Sequence, residues 1–350
     1  MSIQSTDDTV TALRMPIMLK VENGPNEKTV EQKRSGSRVV FSLASPTVFA
    51  AASLLIHQIL PNRQISQTTH SYQIALCIFL ASGPVMGLLY FLVPSGRRWL
   101  AETAPIFAMA IGLTAIWNLI TLKCALLPLP YFPGPDAVIA AFVEDRQLLV
   151  ECTWRTLLLL AAGYSIGAVV GFVTGVMIGW FPRFRYWAMP ILKFVGPIPA
   201  TAWIPLSIML FPNSFVSGML LIALAVWFPM TMLTSSGIAN VRKSHLEVAC
   251  TLGASRSFLI LHVAIPSAMP NVFIGMFMGL GTAFLTLIAA EAVGVKSGLG
   301  WYMDKGRDFA DFDKIYAALI ITGISFSFIM TLLFRVRDRV LGWQKGVIKW

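Results

Sequence analysis

Charge is scarce in this chain. Asp, Glu, Lys and Arg make up 13% of its 350 residues, against 56% hydrophobic, with a mean hydropathy of +0.71. A soluble globular domain carries about 25% charged residues, so water is excluded as the solvent for most of the chain. Histidine and cysteine are sparse too, four of each. His57, His70, His245 and His262 stand far apart and show no metal-ligand spacing, so no metal site is expected. Four cysteines are too few for a disulfide framework, although Cys124 and Cys152 fall near the same expected membrane face and leave one bridge open. No Gly-x-x-x-x-Gly-Lys-Ser/Thr loop occurs, so the chain cannot cradle ATP phosphates and no cofactor is expected on it. A catalytic constellation is missing as well, and no internal repeat is visible. The net charge of +10 points toward nucleic acid, but the basic residues are scattered over short loops and form no stripe, which argues against that partner.

What the chain has in abundance is long apolar runs. A bilayer core needs about 20 consecutive apolar residues per helix. Eight windows qualify: 39–60, 72–93, 103–122, 153–180, 187–211, 215–235, 270–290 and 315–334. The expected fold is therefore an all-α polytopic membrane protein of about eight transmembrane helices in a lipid bilayer. An even number puts both termini on one side. Most of the 27 Lys and Arg lie in the termini and in the loops on that side, and loops retained in the cytoplasm keep an excess of them. Both termini are accordingly expected to be cytoplasmic. Residues 1–38 are polar, carry both signs of charge and lack an apolar period, so they read as a disordered cytoplasmic tail. The first two windows, within 39–100, read as an extra hairpin ahead of a core at 101–343, with 344–350 a short cytoplasmic tail.

The helices differ in character. The fourth carries Gly163, Gly167, Gly171, Gly175 and Gly179, a glycine at every fourth residue. In lipid, helices associate through close backbone approach, and such a ladder forms a groove for a neighbour. The fifth contains Pro190, Pro197, Pro199 and Pro205. Interior prolines remove backbone bonds and clash with the preceding turn, so a straight helix is not expected there. Broken backbone at membrane depth survives only where it is buried in protein or lines a cavity, so this segment either borders a passage or is a kinked packing helix. Asp136 is expected to cap a short surface helix over 137–145. The loop 294–313 suits either a docked soluble partner or plain solvation.

Between the sixth and seventh windows lies EVACTLGASRSFLILHVAIPSAMP, residues 247–270. Ser244 and Glu247 have capping-box spacing, so a helix is expected from about His245, with Glu247 in its first turn. Gly253 suits the left-handed residue that ends it. A second helix with Phe258, Leu259, Leu261 and Val263 on one side is expected to run until Pro266 and Pro270 redirect the chain. The tip, Leu252, Gly253, Ala254 and Ser255, is small enough to enter a groove on another protein. From the residues alone, a capped amphipathic helix resting on the membrane remains open.

Glu247, Ala249, Gly253, nine residues, Val263, Ile265 and Pro266 resemble the EAA signature of ABC importer permeases. Val248 stands for the middle alanine, and Val263 and Ile265 replace Ile and Leu. GPIPATAWIPLSIMLF at 196–211, Ala290-Glu291 and Ser297-Gly298-Leu299-Gly300 are similar to elements of the nitrate, sulfonate, taurine and bicarbonate subfamily. The departures are Gly196 where Arg is frequent, Phe211-Pro212 in place of Phe-Gly, and two first spans without counterpart in a six-helix member.

The resemblance implies a permease core of five to six helices in the bacterial cytoplasmic (inner) membrane, forming a homodimer with a second copy. It also implies separate ATPase subunits that carry ATP and Mg, and an extracytoplasmic substrate-binding protein. Glu247, Ala249, Leu252, Gly253, Ala254, Ser255, Ile265 and Pro266 would then form the coupling element. A small anion would pass near Pro197, Pro199, Thr201, Pro205, Ser207, Thr282 and Thr286, with backbone N–H groups at the breaks as hosts. Glu291, at the end of the seventh helix, would serve as gate, helix-end anchor or substrate contact. Two rivals are a gradient-driven secondary transporter, which needs paired ionisable groups mid-membrane, and an integral membrane enzyme, which needs clustered acids or histidines. Neither feature is evident.

Overall fold

A computed structural model describes residues 25–64, 70–92 and 97–343, and their regular structure is helical. The helices are α1 (Pro25–Ile59), α2 (Ser71–Leu92), α3 (Arg97–Asn118), α4 (Pro135–Glu144), α5 (Arg146–Trp180) and α6 (Pro182–Val195). They continue with α7 (Ile204–Leu210), α8 (Ser214–Ala239), α9 (Lys243–Thr251), α10 (Arg256–Phe258), α11 (Ile265–Val293), α12 (Leu299–Asp308) and α13 (Phe312–Val340). Among the described residues, seven helices are long and apolar enough to cross a membrane, and an eighth span results if α6 is joined to the segment after it. Residues 1–24 and 344–350, read from the sequence as tails, lie outside the described residues. Residues 25–38, read as part of the N-terminal tail, are instead the first part of α1. Pro25 suits a first helical position, and the Glu, Lys, Gln and Arg that follow are good helix formers despite their polarity.

The chain divides into two compact units. Among the described residues, one comprises those up to Leu55 and from Leu76 to Leu113, the other those from Ile56 to Ala75 and from Thr114 onward. In the first unit the helices approach closely at small residues. A Cβ on Gly83 would lie 2.6 Å from the Thr47 side chain, and one on Gly112 would lie 3.1 Å from the Phe49 ring. Ser42 donates its hydroxyl to the Ala101 carbonyl at 2.5 Å.

The second unit is organised on α5 and α8. Each glycine of the ladder faces one α8 side chain: Gly163 meets Ile222, Gly167 Val226, Gly171 Met230, Gly175 Thr234 and Gly179 Ile238, with an added Cβ falling at 2.8 Å or less. Both helices therefore run in register with a four-residue repeat, the side chains of α8 filling the groove of α5. Leu159, Ile222, Val226, Leu280, Phe284 and Leu287 form the core where α11 joins this pair, and Leu333 brings in α13.

The turn between α1 and α2 is tied to the end of α3, where the helix widens into a π turn over Leu119–Lys123. The buried Lys123 ammonium donates to the carbonyls of His57 at 2.7 Å and Leu60 at 2.5 Å, satisfying the end of α1. Asp136 does not cap α4. Gly134 precedes that helix and Pro135 opens it, while Asp136 is buried and accepts the Tyr72 N–H at 2.9 Å at the start of α2. Cys124 and Cys152 are both free; Cys124 is exposed, and Cys152 is buried against Leu149, Leu299 and Tyr302.

Candidate functional site

Three places in the second unit concentrate the features singled out by sequence. The first is the helix–turn–helix between α8 and α11. α9 starts at Lys243, with Arg242 preceding it and no side-chain cap. The Ser244–Glu247 capping box does not form, because Ser244 already lies within the helix. For the same reason Glu247 lies two residues further in than expected, in the second turn. The C-terminal end is as the glycine requires. Gly253 has φ +81, its N–H donates to Cys250 O at 3.0 Å, and Ala254 N–H donates to Ala249 O at 3.0 Å. This is a Schellman closure, and it spends the last carbonyls of α9 within four residues. Ser255 then accepts the Phe258 N–H and starts α10. The result is a tight tip on which Leu252 is 82% exposed, with Gly253 and Ser255 exposed beside it and Ala254 partly so.

The second limb is not a separate helix. α10 passes through a π turn, Leu259–Ala264, directly into α11, so Arg256–Val293 forms one continuous 38-residue span. Pro266 causes no break because the π turn has already moved the bonding to i−5, with Ile265 N–H donating to Ile260 O, and Pro266 falls in the first turn of α11. Ile265 packs against Ile238, Ala264 and Ala268, which fixes the base of the tip to α8.

The second place is the break after α6. Val195 ends that helix, Ala200–Trp203 forms a 3₁₀ turn, and the segment Ala200–Leu210 leaves at 84° to α6. Between the bend, α8 and α11 lies a half-open cavity of about 580 Å³. Pro199, Thr201, Thr282 and Thr286 line it; Pro197, Pro205, Ser207 and Glu291 do not. Ser207 instead pairs with the Ser217 hydroxyl at 2.7 Å and fastens α7 to α8. Thr282 and Thr286 spend their hydroxyls on backbone carbonyls, Thr282 on Gly279 and Ala225 at 3.0 Å and Thr286 on Thr282 at 2.9 Å.

Sequence reasoning missed the apolar walls of this chamber, Trp227, Phe228, Met278 and Leu285. They lie inside uniformly apolar windows and carry no pattern that sets them apart. Trp227 is held by donating its indole N–H to Thr174 of α5 at 3.1 Å. Gly196 is legible only in retrospect: a Cβ there would lie 1.9 Å from the Phe228 ring.

The third place is Glu291, 1% exposed. Its Oε1 accepts the Thr156 hydroxyl at 2.8 Å and its Oε2 accepts the Gly300 N–H at 2.9 Å, while Leu299 N–H donates to Thr156 at 2.8 Å. The open N–H groups at the start of α12 are thus satisfied by α11 and α5. Gly298, at φ +117, allows the wrap, since a Cβ there would fall within 2.2 Å of the Glu291 carboxyl. A second cavity, of about 920 Å³, adjoins this site and carries Lys296, Asn213 and the ion pair of Arg155 with Glu151. Nearby, Tyr302 of α12 donates to Asp145 at 2.7 Å, and burial together with that carboxylate pushes its phenol well above the usual range. Among the described residues no three His, Cys, Asp or Glu side chains converge as metal ligands.

Comparison with known proteins places this geometry in context. Residues 167–341 match the family described as binding-protein-dependent transport system inner membrane component. The chain is 29% identical over 248 residues to the taurine transport system permease protein TauC of Escherichia coli strain K12, covering 68% of this chain and 88% of that one. It is 32% identical to the putative aliphatic sulfonates transport permease protein SsuC of the same strain, over 64% of this chain and 86% of that one. The SsuC of Bacillus subtilis strain 168 is 32% identical over 61% and 82% respectively.

Proposed function

From the premise that the chain belongs to the binding-protein-dependent transport inner membrane component family, we propose that it carries an organic anion of the sulfonate or taurine type inward, driven by a separate ATPase. Membership makes it a multi-pass inner membrane permease subunit rather than an enzyme, one that works with ATPase and substrate-binding subunits. The observation that carries the mechanism is the tip at Leu252 to Ser255. An 82% exposed leucine on a loop closed by Gly253 is an apolar anchor offered to a cleft. The same limb continues without interruption into α11, which forms one wall of the chamber. A push on the tip by a closing ATPase is therefore delivered along a single helix to the chamber, and alternating access follows from its tilt.

The solute reading draws on both cavities. Lys296 supplies a cationic group in the cavity beside α12, where Arg155 is paired with Glu151 at 2.8 Å, and the chamber is lined by aromatic and aliphatic side chains. Two copies of the chain are taken to face each other across the passage, with both termini in the cytoplasm, as the loop distribution of Lys and Arg favours. Family membership lends nothing to the gradient-driven alternative. The reading is tested by reconstituting the chain with its ATPase and binding protein in vesicles. Taurine or an alkanesulfonate should accumulate only when ATP is enclosed with the ATPase. Accumulation driven by a proton gradient with no ATPase present would overturn it.

A further inference from the structure

Gly281 lies in the interior of α11, where a glycine costs about 1 kcal/mol relative to alanine. On the same helix, Gly275 and Gly279 have an evident reason, since an added Cβ would meet Met230 at 3.3 Å and Val226 at 3.1 Å as α8 passes close by. Gly281 has none of this. Nothing lies within 4 Å of a Cβ built on it, and its φ is not positive. Gly87, Gly323 and Gly342 are equally open, but among the described residues Gly281 alone of these lines the chamber. It sits between Met278 and Leu285, with Phe228 and Trp227 among the other walls. The structural consequence of this glycine is therefore room inside the chamber.

That room is large for the smallest solutes. A volume of about 580 Å³ falls within the range of roughly 300–1,000 Å³ that suits organic ligands. No charged side chain lines it, and two of its three threonine hydroxyls are already bonded to backbone carbonyls. The chamber therefore discriminates by surface and shape, and a ring or a branched hydrocarbon finds apolar wall to cover. We propose that Gly281 is the size-determining position of the chamber, admitting solutes with a ring-bearing or branched apolar body that progressively larger side chains at this position would exclude. The proposal rests on the reading of the chamber as part of the solute path.

The test uses the full transporter in vesicles and reads girth directly. Thr201→Cys places a thiol on the part of the lining supplied by the turn after α6, in a chain whose four native cysteines are changed to alanine. The expected result is reaction with both slender 2-aminoethyl methanethiosulfonate and a bulky naphthyl maleimide when Gly281 is present. Gly281→Leu should slow the bulky reagent about tenfold and leave the slender one unchanged, with Gly281→Ala between them and no less heat-stable than the parent. Equal slowing of both reagents, no slowing of either, or no reaction of either reagent in the Gly281 parent would overturn the proposal. Uptake of ethanesulfonate and 2-naphthalenesulfonate is measured beside it. If neither accumulates while the labelling still discriminates by size, the solute reading fails and the size-determining role stands. If labelling is blind to size, that role fails whatever the uptake.

Discussion

The carboxyl group of Glu291 accepts the backbone N–H of Gly300 at 2.9 Å, so the end of α11 caps the start of α12. Thr156 of α5 completes the arrangement by donating to Glu291 and accepting from Leu299, both at 2.8 Å. Three helices are locked at one point by three hydrogen bonds, each wholly buried.

Removal of that acceptor should be costly. Glu291→Ala leaves the Gly300 N–H and the Thr156 hydroxyl without their partner, and each buried orphan costs about 1–3 kcal/mol. Thermal unfolding in detergent should show a drop of several degrees for Glu291→Ala and a smaller one for Glu291→Gln, which keeps one acceptor oxygen. Equal melting temperatures for all three proteins would mean the lock contributes nothing to stability.

The glycine ladder makes a sharper steric prediction. At Gly167 an added Cβ would lie 2.5 Å from the Ala223 carbonyl oxygen, a backbone atom that cannot turn aside. Gly167→Ala should destabilise the chain by about 1–3 kcal/mol. Gly323→Ala, with nothing within 4 Å, should be neutral or stabilising by up to about 1 kcal/mol. Paired unfolding curves decide it: a harmless change at Gly167 would contradict the close packing of α5 on α8.

Tyr302 gives a prediction in pH. Its phenol is held above the usual range by burial and by the Asp145 carboxylate it donates to, so the folded state keeps a proton that the unfolded state releases near pH 10. The stabilisation is fully present below about pH 10 and is lost as pH rises above it. Tyr302→Phe should lower stability at neutral pH by about 1 kcal/mol and flatten the alkaline decline. Parallel alkaline slopes in both proteins would rule out this linkage.

How far these features could be read from the chain follows from the kind of signal each one leaves. The glycines at 163–179 and the prolines at 190–205 alter the backbone itself, so a groove and a departure from a straight helix were legible before any contact was known, though not the 84° angle of the break. Gly253 was legible for the same reason, since its φ of +81 is one that few other residues adopt. Side-chain partnerships were not. Thr156 is one threonine in a long apolar helix, and its pairing with Glu291 spans 135 positions. The capping box failed because spacing alone does not fix where the first turn begins, and Arg242 opens α9 ahead of Ser244. Chamber walls such as Phe228 and Trp227 are written in the same apolar residues as lipid-facing positions, and only the fold separates them.

The most direct measurement of the central claim is coupling at the tip. Leu252→Lys puts a charge on the exposed apolar anchor, of the sign favoured at the end of α9 that Leu252 closes. In the reconstituted transporter, solute uptake and the ATP hydrolysis it stimulates should both fall by about tenfold or more, while the variant chain melts at the parent temperature. Uptake and stimulated hydrolysis at parental rates would contradict the account, because the lever would then be doing nothing.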